Sequence, residues 1–212
     1  MNLADLRREY TKGGLRRADL DPNPLIQFQK WFEQALNSQL IEPSAMTLAT
    51  ADEQGRPSAR IVLLKAADER GFVFFTNYDS RKGRELARNP HAALVLYWAE
   101  LEREICIAGE VTKVSSAESE KYFALRPRGS QLGACVARQS SVVPDRAFLE
   151  VRLQELEQAF ANHVVEKPRN WGGYLLTPSR IEFWQGRPNR LHDRFQYFRK
   201  NDGSWIIERL SP

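Results

Sequence analysis

Strand-like segments joined by short polar turns constrain this chain more than any other feature. Residues 45–51 and 57–65 flank the turn Asp52-Glu-Gln-Gly55, a strong hairpin signal. Residues 71–76 follow a second polar turn that ends in glycine. A short helix over 80–88, stopped by Asn89-Pro90, precedes two longer strands over 92–98 and 103–114. The C-terminal third predicts strands over 173–176, 180–184, 191–199 and 204–210, the last two joined by Asp202-Gly203. Three further helices interrupt this succession. One runs over 24–38, with Pro24 near its first turn and Leu25, Phe28, Phe32 and Leu36 on one face. Another follows the capping box Ser115/Glu118 to about residue 125, and a third opens at Pro144-Asp145 with Leu149, Leu153, Leu156 and Phe160 at helical spacing. Strands in antiparallel succession with helices inserted, and no alternating βαβ units, predict an α+β chain around an antiparallel barrel. Such a barrel closes its own edges and leaves grooves at its rim.

The length of 212 residues suits one domain with a terminal extension. Residues 1–21 are polar and basic (Arg7, Arg8, Lys12, Arg16, Arg17), Gly13-Gly14 breaks any helix there, and the segment reads as an arm on a domain spanning 22–212. A composition 42% hydrophobic and 27% charged is that of a soluble globular chain. No apolar run reaches the roughly 18–20 residues of a membrane helix, and the N-terminus lacks the apolar stretch of a signal peptide. Cys106 and Cys135 sit in apolar contexts, as buried free thiols do, so a cytoplasmic location is the default expectation. The net charge of +4 leaves nucleic acid, a membrane surface or small anions open as partners until the cations are placed.

There is no glycine-rich dinucleotide or triphosphate loop, no zinc-type Cys/His spacing among His91, His163 and His192, and no nucleophile elbow at Gly129-Ser-Gln-Leu-Gly133. The cations instead lie beside hydroxyl residues at strand and helix ends. Arg60 and Lys65 bracket an apolar strand and, five residues apart, face opposite sides of it, as suits two different anions. Ser80-Arg81-Lys82 stands at a helix start, where backbone N–H groups favour an anion. Tyr122, Arg126 and Ser130 form a third group, and Gln139-Ser140-Ser141 adds neutral donors. In period-two geometry Arg190, His192 and Arg194 line one strand face, a repulsive set that a bound anionic or electron-rich ligand would relieve; a charged edge strand is the plain alternative.

Leu6-Arg-Arg-Glu-Tyr-Thr-Lys-Gly-Gly-Leu15, Arg60-Ile-Val-Leu-Leu-Lys65, Phe74-Phe-Thr-Asn77, Ser80-Arg-Lys82, Arg126-Pro-Arg128, Gln139-Ser-Ser141, Trp171-Gly-Gly173, Ile181-Glu-Phe-Trp-Gln-Gly186, Arg190-Leu-His-Asp-Arg194 and the closing Glu208-Arg-Leu-Ser-Pro212 occur in one order. With these motifs the chain closely resembles the pyridoxine/pyridoxamine 5′-phosphate oxidase family, almost from end to end. The resemblance implies a homodimer of split β-barrels with FMN in clefts at the subunit interface. It implies that Arg60, Lys82 and Ser140 hold the FMN phosphate region, with Arg81 and Gln139 nearby. Ile61, Val62, Leu63, Leu64 and Lys65, with Phe75 and Thr76, would line the flavin, and Trp184 and Arg194 would contact it. Lys65, Tyr122, Arg126 and Ser130 would take the substrate phosphate, Arg190 and His192 would lie over the pyridine ring, and the segment from Arg7 to Tyr10 would close over the site. The implied reaction moves a hydride equivalent from substrate C4′ to flavin N5, makes pyridoxal 5′-phosphate, and passes the electrons to O2 as hydrogen peroxide.

One departure stands out. The family's Leu-Glu-Arg-Gln stretch reads Leu101-Glu-Arg-Glu104 here. By resemblance the glutamine bonds the flavin's polar edge, and an ionised carboxylate can only accept. Glu104 is therefore expected to be protonated, turned toward flavin N3–H, or paired with Arg103 or Arg194. Two other classes of function bear on the same chain. A non-catalytic split-barrel flavin, haem or deazaflavin binder would lack a second phosphate site and the Arg190/His192 pair. A nucleic-acid module would interleave aromatics with a basic stripe, whereas the aromatics here fall at core periodicities.

Overall fold

The structure, a computed structural model, describes residues 1, 3, 9–136 and 139–212. Strands β1 (Ala45–Ala51), β2 (Pro57–Leu63), β3 (Ala66–Asp68), β4 (Gly71–Asn77), β5 (His91–Trp98), β6 (Arg103–Lys113), β7 (Trp171–Gln185), β8 (Asp193–Arg199) and β9 (Trp205–Leu210) form one sheet. Its path is β2-β1-β5-β6-β7-β4-β3, with β8 and β9 added beside β7, and all its pairings are antiparallel. Helices α1 (Pro24–Leu36), α2 (Arg81–Arg88), α3 (Ser116–Leu125), α4 (Arg128–Val136) and α5 (Arg146–Ala159) flank it.

The strands predicted separately over 173–176 and 180–184 are one 15-residue strand, β7. It pairs with β6 along its length, but on its other side with β4 up to Leu176 and with β8 from Arg180. Pro178, which has no N–H to donate, sits at the change of partner, opposite a register shift between Ala108 and Gly109. A Cβ on Gly109 would lie 2.1 Å from the Thr177 carbonyl oxygen, so only glycine permits this approach. Bent there, the sheet curls into a split barrel.

Period two fills the barrel. Met46 and Leu48, Phe72 and Phe74, Leu94 and Leu96, Ile105 and Ile107, and Ile181 and Phe183 all point inward and are buried. Helix α1, capped by the Asn23 side chain, closes the interior. Phe28 meets Phe72 edge-on at 4.9 Å and Trp31 meets Phe183 at 5.2 Å. The buried face of α1 is Gln27, Phe28, Trp31 and Ala35, and Leu36, expected inside, is exposed; residue 36 ends the helix beyond the barrel wall. The stripe of α5 packs half-buried on a second apolar cluster of Phe123, Leu132, Val165 and Trp171. That cluster carries α3 and α4 over the sheet rim. Helix α4 has no counterpart in the sequence expectation, because its glycines and short length leave no apolar period to read.

Candidate active site

Three elements bring the expected anion-binding residues to the rim beside β2 and β4. A cavity of about 660 Å³ is lined by Ile61, Val62, Leu63 and Lys65 from the end of β2, by Phe75, Thr76 and Asn77 from β4, and by Lys82 from α2. Tyr122, Arg126 and Ser130 from α3 and α4, Gln139, and Trp171 complete it. This volume suits a small-molecule ligand. Lys65 lines the cavity while Arg60 turns to the other side, as strand geometry requires. Its guanidinium donates to the Leu48 carbonyl (3.2 Å), to Thr50 Oγ1 (2.6 Å) and to the Ser58 hydroxyl. The Leu64 side chain is buried in the core against α1 and lies outside the lining of this cavity.

Glu85, absent from the sequence expectation, organises the cations. Its carboxylate accepts from Thr50 (2.5 Å) and Ser58 (2.6 Å), receives Arg81 Nε at 2.9 Å, and stands 3.4 Å from Arg60. Burial alone would raise its pKa, but the hydrogen bonds from Ser58, Thr50 and Arg81 and the charge of Arg60 prevail and hold it at about 2. The signal for it was only a helical i,i+4 spacing from Arg81. Lys82 is buried, donates to Gln139 Oε1 (2.9 Å) and Thr76 Oγ1 (3.1 Å), and is pushed down to about 8 by burial and by Arg60. The backbone N–H of Arg81 donates to Ser140 Oγ at 3.3 Å, so the 139–140 turn joins the start of α2. Arg60, Arg81 and Lys82 against Glu85 leave a net charge of +2, a match for a phosphomonoester dianion.

Arg126 shows the clearest unmet demand. Its Nη1 is buried and has no hydrogen-bond partner among the described residues. A buried, unpaired donor of this kind is costly unless a ligand meets it.

Tyr10, Glu104, Trp184 and His192, with Tyr97, line a separate cavity of about 480 Å³, whereas Arg190 and Arg194 are not part of its lining. Arg190, His192 and Arg194 do not share one strand face. Residues Pro188–Arg190 form a 3-10 turn in which Asn189 and Arg190 have φ of 56° and 60°, and β8 begins only at Asp193. Pro188 and the turn it opens exclude Arg190 from the ladder. His192 Nδ1 accepts the Arg187 backbone N–H at 3.1 Å, so a neutral ring carries its proton on Nε2. Burial and the charges of Arg190 and Arg194 lower its pKa and keep it neutral at pH 7. Arg194 Nε binds Glu182 at 2.6 Å. Arg103 turns to Gln185 (2.8 Å) and to Gln34, and the Cys106 thiol donates to Glu104 Oε1 at 3.2 Å. Among the described residues neither Arg103 nor Arg194 forms an ion pair with Glu104, so the expected pairing is not made.

The arm reaches this second cavity. Tyr10 meets Trp184 edge-on at 5.5 Å and His192 at 5.6 Å, Gly13 receives Arg187, and the Leu15 N–H donates to Asp193. Arg7, expected to close over the site, lies outside the described residues.

A curled antiparallel sheet with a cation-lined cleft at its rim defines the class of split-barrel proteins. A pyridoxamine-phosphate-oxidase-related, FMN-binding protein from Nostoc punctiforme shares this fold, with a TM-score of 0.72, 18% identity and 91% of this chain and 100% of that one covered. The family model described as pyridoxamine 5′-phosphate oxidase matches residues 32–160, and that of the pyridoxine 5′-phosphate oxidase C-terminal dimerisation region matches 171–212. The chain belongs to the pyridoxamine 5′-phosphate oxidase family. It is 59% identical over 210 residues to a pyridoxine/pyridoxamine 5′-phosphate oxidase of Nostoc sp., covering 99% of this chain and 98% of that one. PhzG from Burkholderia lata, solved with tetrahydrophenazine-1-carboxylic acid, is 32% identical with a TM-score of 0.88, covering 93% of this chain and 98% of that one. No helix among the described residues is long and apolar enough to cross a membrane.

The depressed Lys82 predicts a pH dependence. Without a bound anion, Lys82 loses its proton as pH rises through about 8. Glu85, held far below this pH by its hydrogen bonds, keeps its charge there. Affinity for a phosphate group is therefore expected to fall above that pH, by at most about tenfold per pH unit for one proton, and Lys82→Arg should flatten the fall. Titration of the protein with FMN from pH 7 to 10 measures this; a constant affinity for the wild type would contradict it.

Proposed function

We propose that this protein is an FMN-dependent oxidase that converts pyridoxine 5′-phosphate and pyridoxamine 5′-phosphate to pyridoxal 5′-phosphate. The observation that carries this reading is a single cavity with two cationic groups on different elements, Lys82 with Gln139 and Thr76, and Lys65 with Tyr122, Ser130 and the unpaired Arg126. One group suits the cofactor phosphate, with Arg60, Arg81 and Ser140 behind it; the other suits the substrate phosphate. Ile61, Val62, Leu63 and Phe75 would form the flavin wall.

When bound, FMN supplies a two-electron acceptor that O2 restores, so the alcohol and O2 give the aldehyde and hydrogen peroxide. The amine consumes one water in addition and releases ammonia. The chain's residues bind and orient. Arg126 and Lys65 anchor the substrate phosphate, and Arg190 and His192 cover the ring. His192 serves as a donor through Nε2–H, because Nδ1 is already occupied by Arg187 N–H. Tyr10 excludes water from Trp184 and His192.

The two cavities of one chain would complete each other in a homodimer, each site drawing one set of residues from either subunit. The patch of Thr47, Ala49, Ala93, Val95, Cys106 and Ala108 supports this: its side chains are half-buried, small and uncharged, with Glu104, Glu182 and Arg180 at its border. Such a face suits a second copy better than water.

A visible spectrum with one FMN per subunit, much weaker FAD binding, and one peroxide per aldehyde formed from pyridoxine 5′-phosphate are the expected results. Absence of turnover with both phosphorylated substrates would overturn the reading. The likeness to PhzG favours a second reading, a tricyclic carboxylic acid as substrate; preference for such a compound over the phosphorylated pyridines would establish it.

Glu104 lines the second cavity with Trp184 and His192 and, among the described residues, forms no ion pair, the Arg194 charge acting on it only at a distance. Glu104→Gln is expected to tighten FMN binding, by roughly tenfold if one charged contact is at stake. Calorimetric titration checks this, and equal affinity in both proteins would place Glu104 away from the cofactor.

A further inference from the structure

Trp171 opens β7 and is buried at 6% exposure. Its indole lies nearly parallel to Phe75 (centroids 5.5 Å apart, planes at 15°) and to Tyr122 (6.2 Å, 8°). Phe75 and Tyr122 stack on each other at 4.0 Å, and Phe123 closes the indole edge at 5.1 Å. The Arg126 guanidinium carbon stands 4.8 Å from the Trp171 ring centroid and 5.6 Å from that of Phe123. A ring face attracts the flat cation without accepting a hydrogen bond in its plane, so it can hold a guanidinium while leaving in-plane N–H groups free. That matches the buried Nη1 without a partner.

The two residues after Trp171 bring α3 to this packet. A Cβ on Gly172 would lie 2.1 Å from the Tyr78 hydroxyl, and one on Gly173 would lie 2.8 Å from the Phe75 ring. The bare Gly173 N–H donates to Ser119 Oγ of α3 at 3.1 Å. Trp171-Gly-Gly173 thus fixes both the height of α3 over the sheet and the ring on which Arg126 rests.

We propose that Trp171 is a positioning residue for substrate-phosphate recognition: it holds Arg126 by its face with the N–H edge toward the phosphate, and through Phe75 and Tyr122 it sets the spacing between cofactor wall and substrate wall. This rests on the reading of Arg126 as a substrate-phosphate ligand. Its consequence is a selective one. Loss of the ring should reduce the preference for phosphorylated over unphosphorylated ligand without releasing the cofactor.

The test compares the FMN-loaded wild type with Trp171→Leu, Trp171→Phe and Arg126→Ala, titrated with pyridoxal 5′-phosphate and with pyridoxal. Trp171→Leu is expected to weaken the phosphorylated ligand about five- to thirtyfold, the range of a desolvated cation–π contact. Binding of pyridoxal and of FMN should change less than binding of the phosphorylated ligand, because in this reading neither places a phosphate on Arg126. Trp171→Phe, which keeps a ring in a packed position, should fall between, and supplies the result if the leucine variant does not fold. With Arg126→Ala already present, Trp171→Phe should have no further effect on the phosphorylated ligand. Undiminished phosphate preference in both Trp171 variants, beside a weakened Arg126→Ala, would overturn the role of Trp171 alone. Equal losses for both ligands would reduce it to a packing residue. Unchanged binding in Arg126→Ala would overturn the phosphate site itself and this inference with it.

Discussion

Arg126→Ala is expected to weaken the phosphorylated substrate by about ten- to a hundredfold while FMN stays bound, the range for a charge-assisted hydrogen bond. Its Nη1 is buried with no hydrogen-bond partner among the described residues, and the side chain shares its cavity with Lys65, Tyr122 and Ser130. Lys65→Ala should follow the same pattern. Arg60→Ala should do the reverse, since Arg60 is tied to Thr50, Ser58 and Glu85 beside the Lys82 group and does not line the Arg126 side. Its loss also leaves Glu85 with one cation fewer, which adds to the cost. Separate titrations of FMN and pyridoxal 5′-phosphate on each variant measure this. Equal effects on both ligands from every substitution would show that the two anion sites are one.

The second large effect falls on turnover. Arg190→Ala or His192→Ala should lower kcat by about a hundredfold, the scale on which misplacing a reacting geometry is felt, with the flavin retained. Two successive non-glycine residues in the left-handed region, Asn189 and Arg190, cost on the order of 1–3 kcal/mol each. The fold maintains them because Asp193 anchors Leu15, Arg187 and Arg209 around the loop. Since burial and two neighbouring arginines depress His192, the loss of kcat/KM on acidification should set in at a lower pH than an ordinary imidazole would give. Steady-state kinetics with normal kcat in both variants would remove them from the reaction.

Most of the barrel was legible because its signals are local. Period two in β1, β5 and β6, the Asp52–Gly55 turn, and the helix starts at Pro24, Ser80, Ser115 and Asp145 each depend on residues a few positions apart. The opposite facing of Arg60 and Lys65 was legible for the same reason. Position 190 misled, since alternation was extended through Pro188 into a turn where it does not hold. Glu85 carries no signal of its own in the sequence, and Trp171 only that of the Trp171-Gly-Gly173 motif, because a carboxylate on a helix and a tryptophan before two glycines have ordinary structural readings. What sets them apart is a partner on a distant element, Arg60 for one and Arg126 for the other.

The sequence by itself determined the order of most strands, turns and helices, though not α4, β3 or the unbroken β7, and the residue types suited to two phosphates. Side-chain direction within one element follows from backbone period alone. The tertiary structure decided which of these residues meet. The bend at Pro178 and Gly109 lets β7 change partners, and that curl carries α3 and its Arg126 over the cavity walled by β2 and β4. It also leaves Trp184, His192 and Glu104 lining a second cavity of their own. Contacts between elements depend on register, curl and close backbone approach, and no spacing along the chain encodes these.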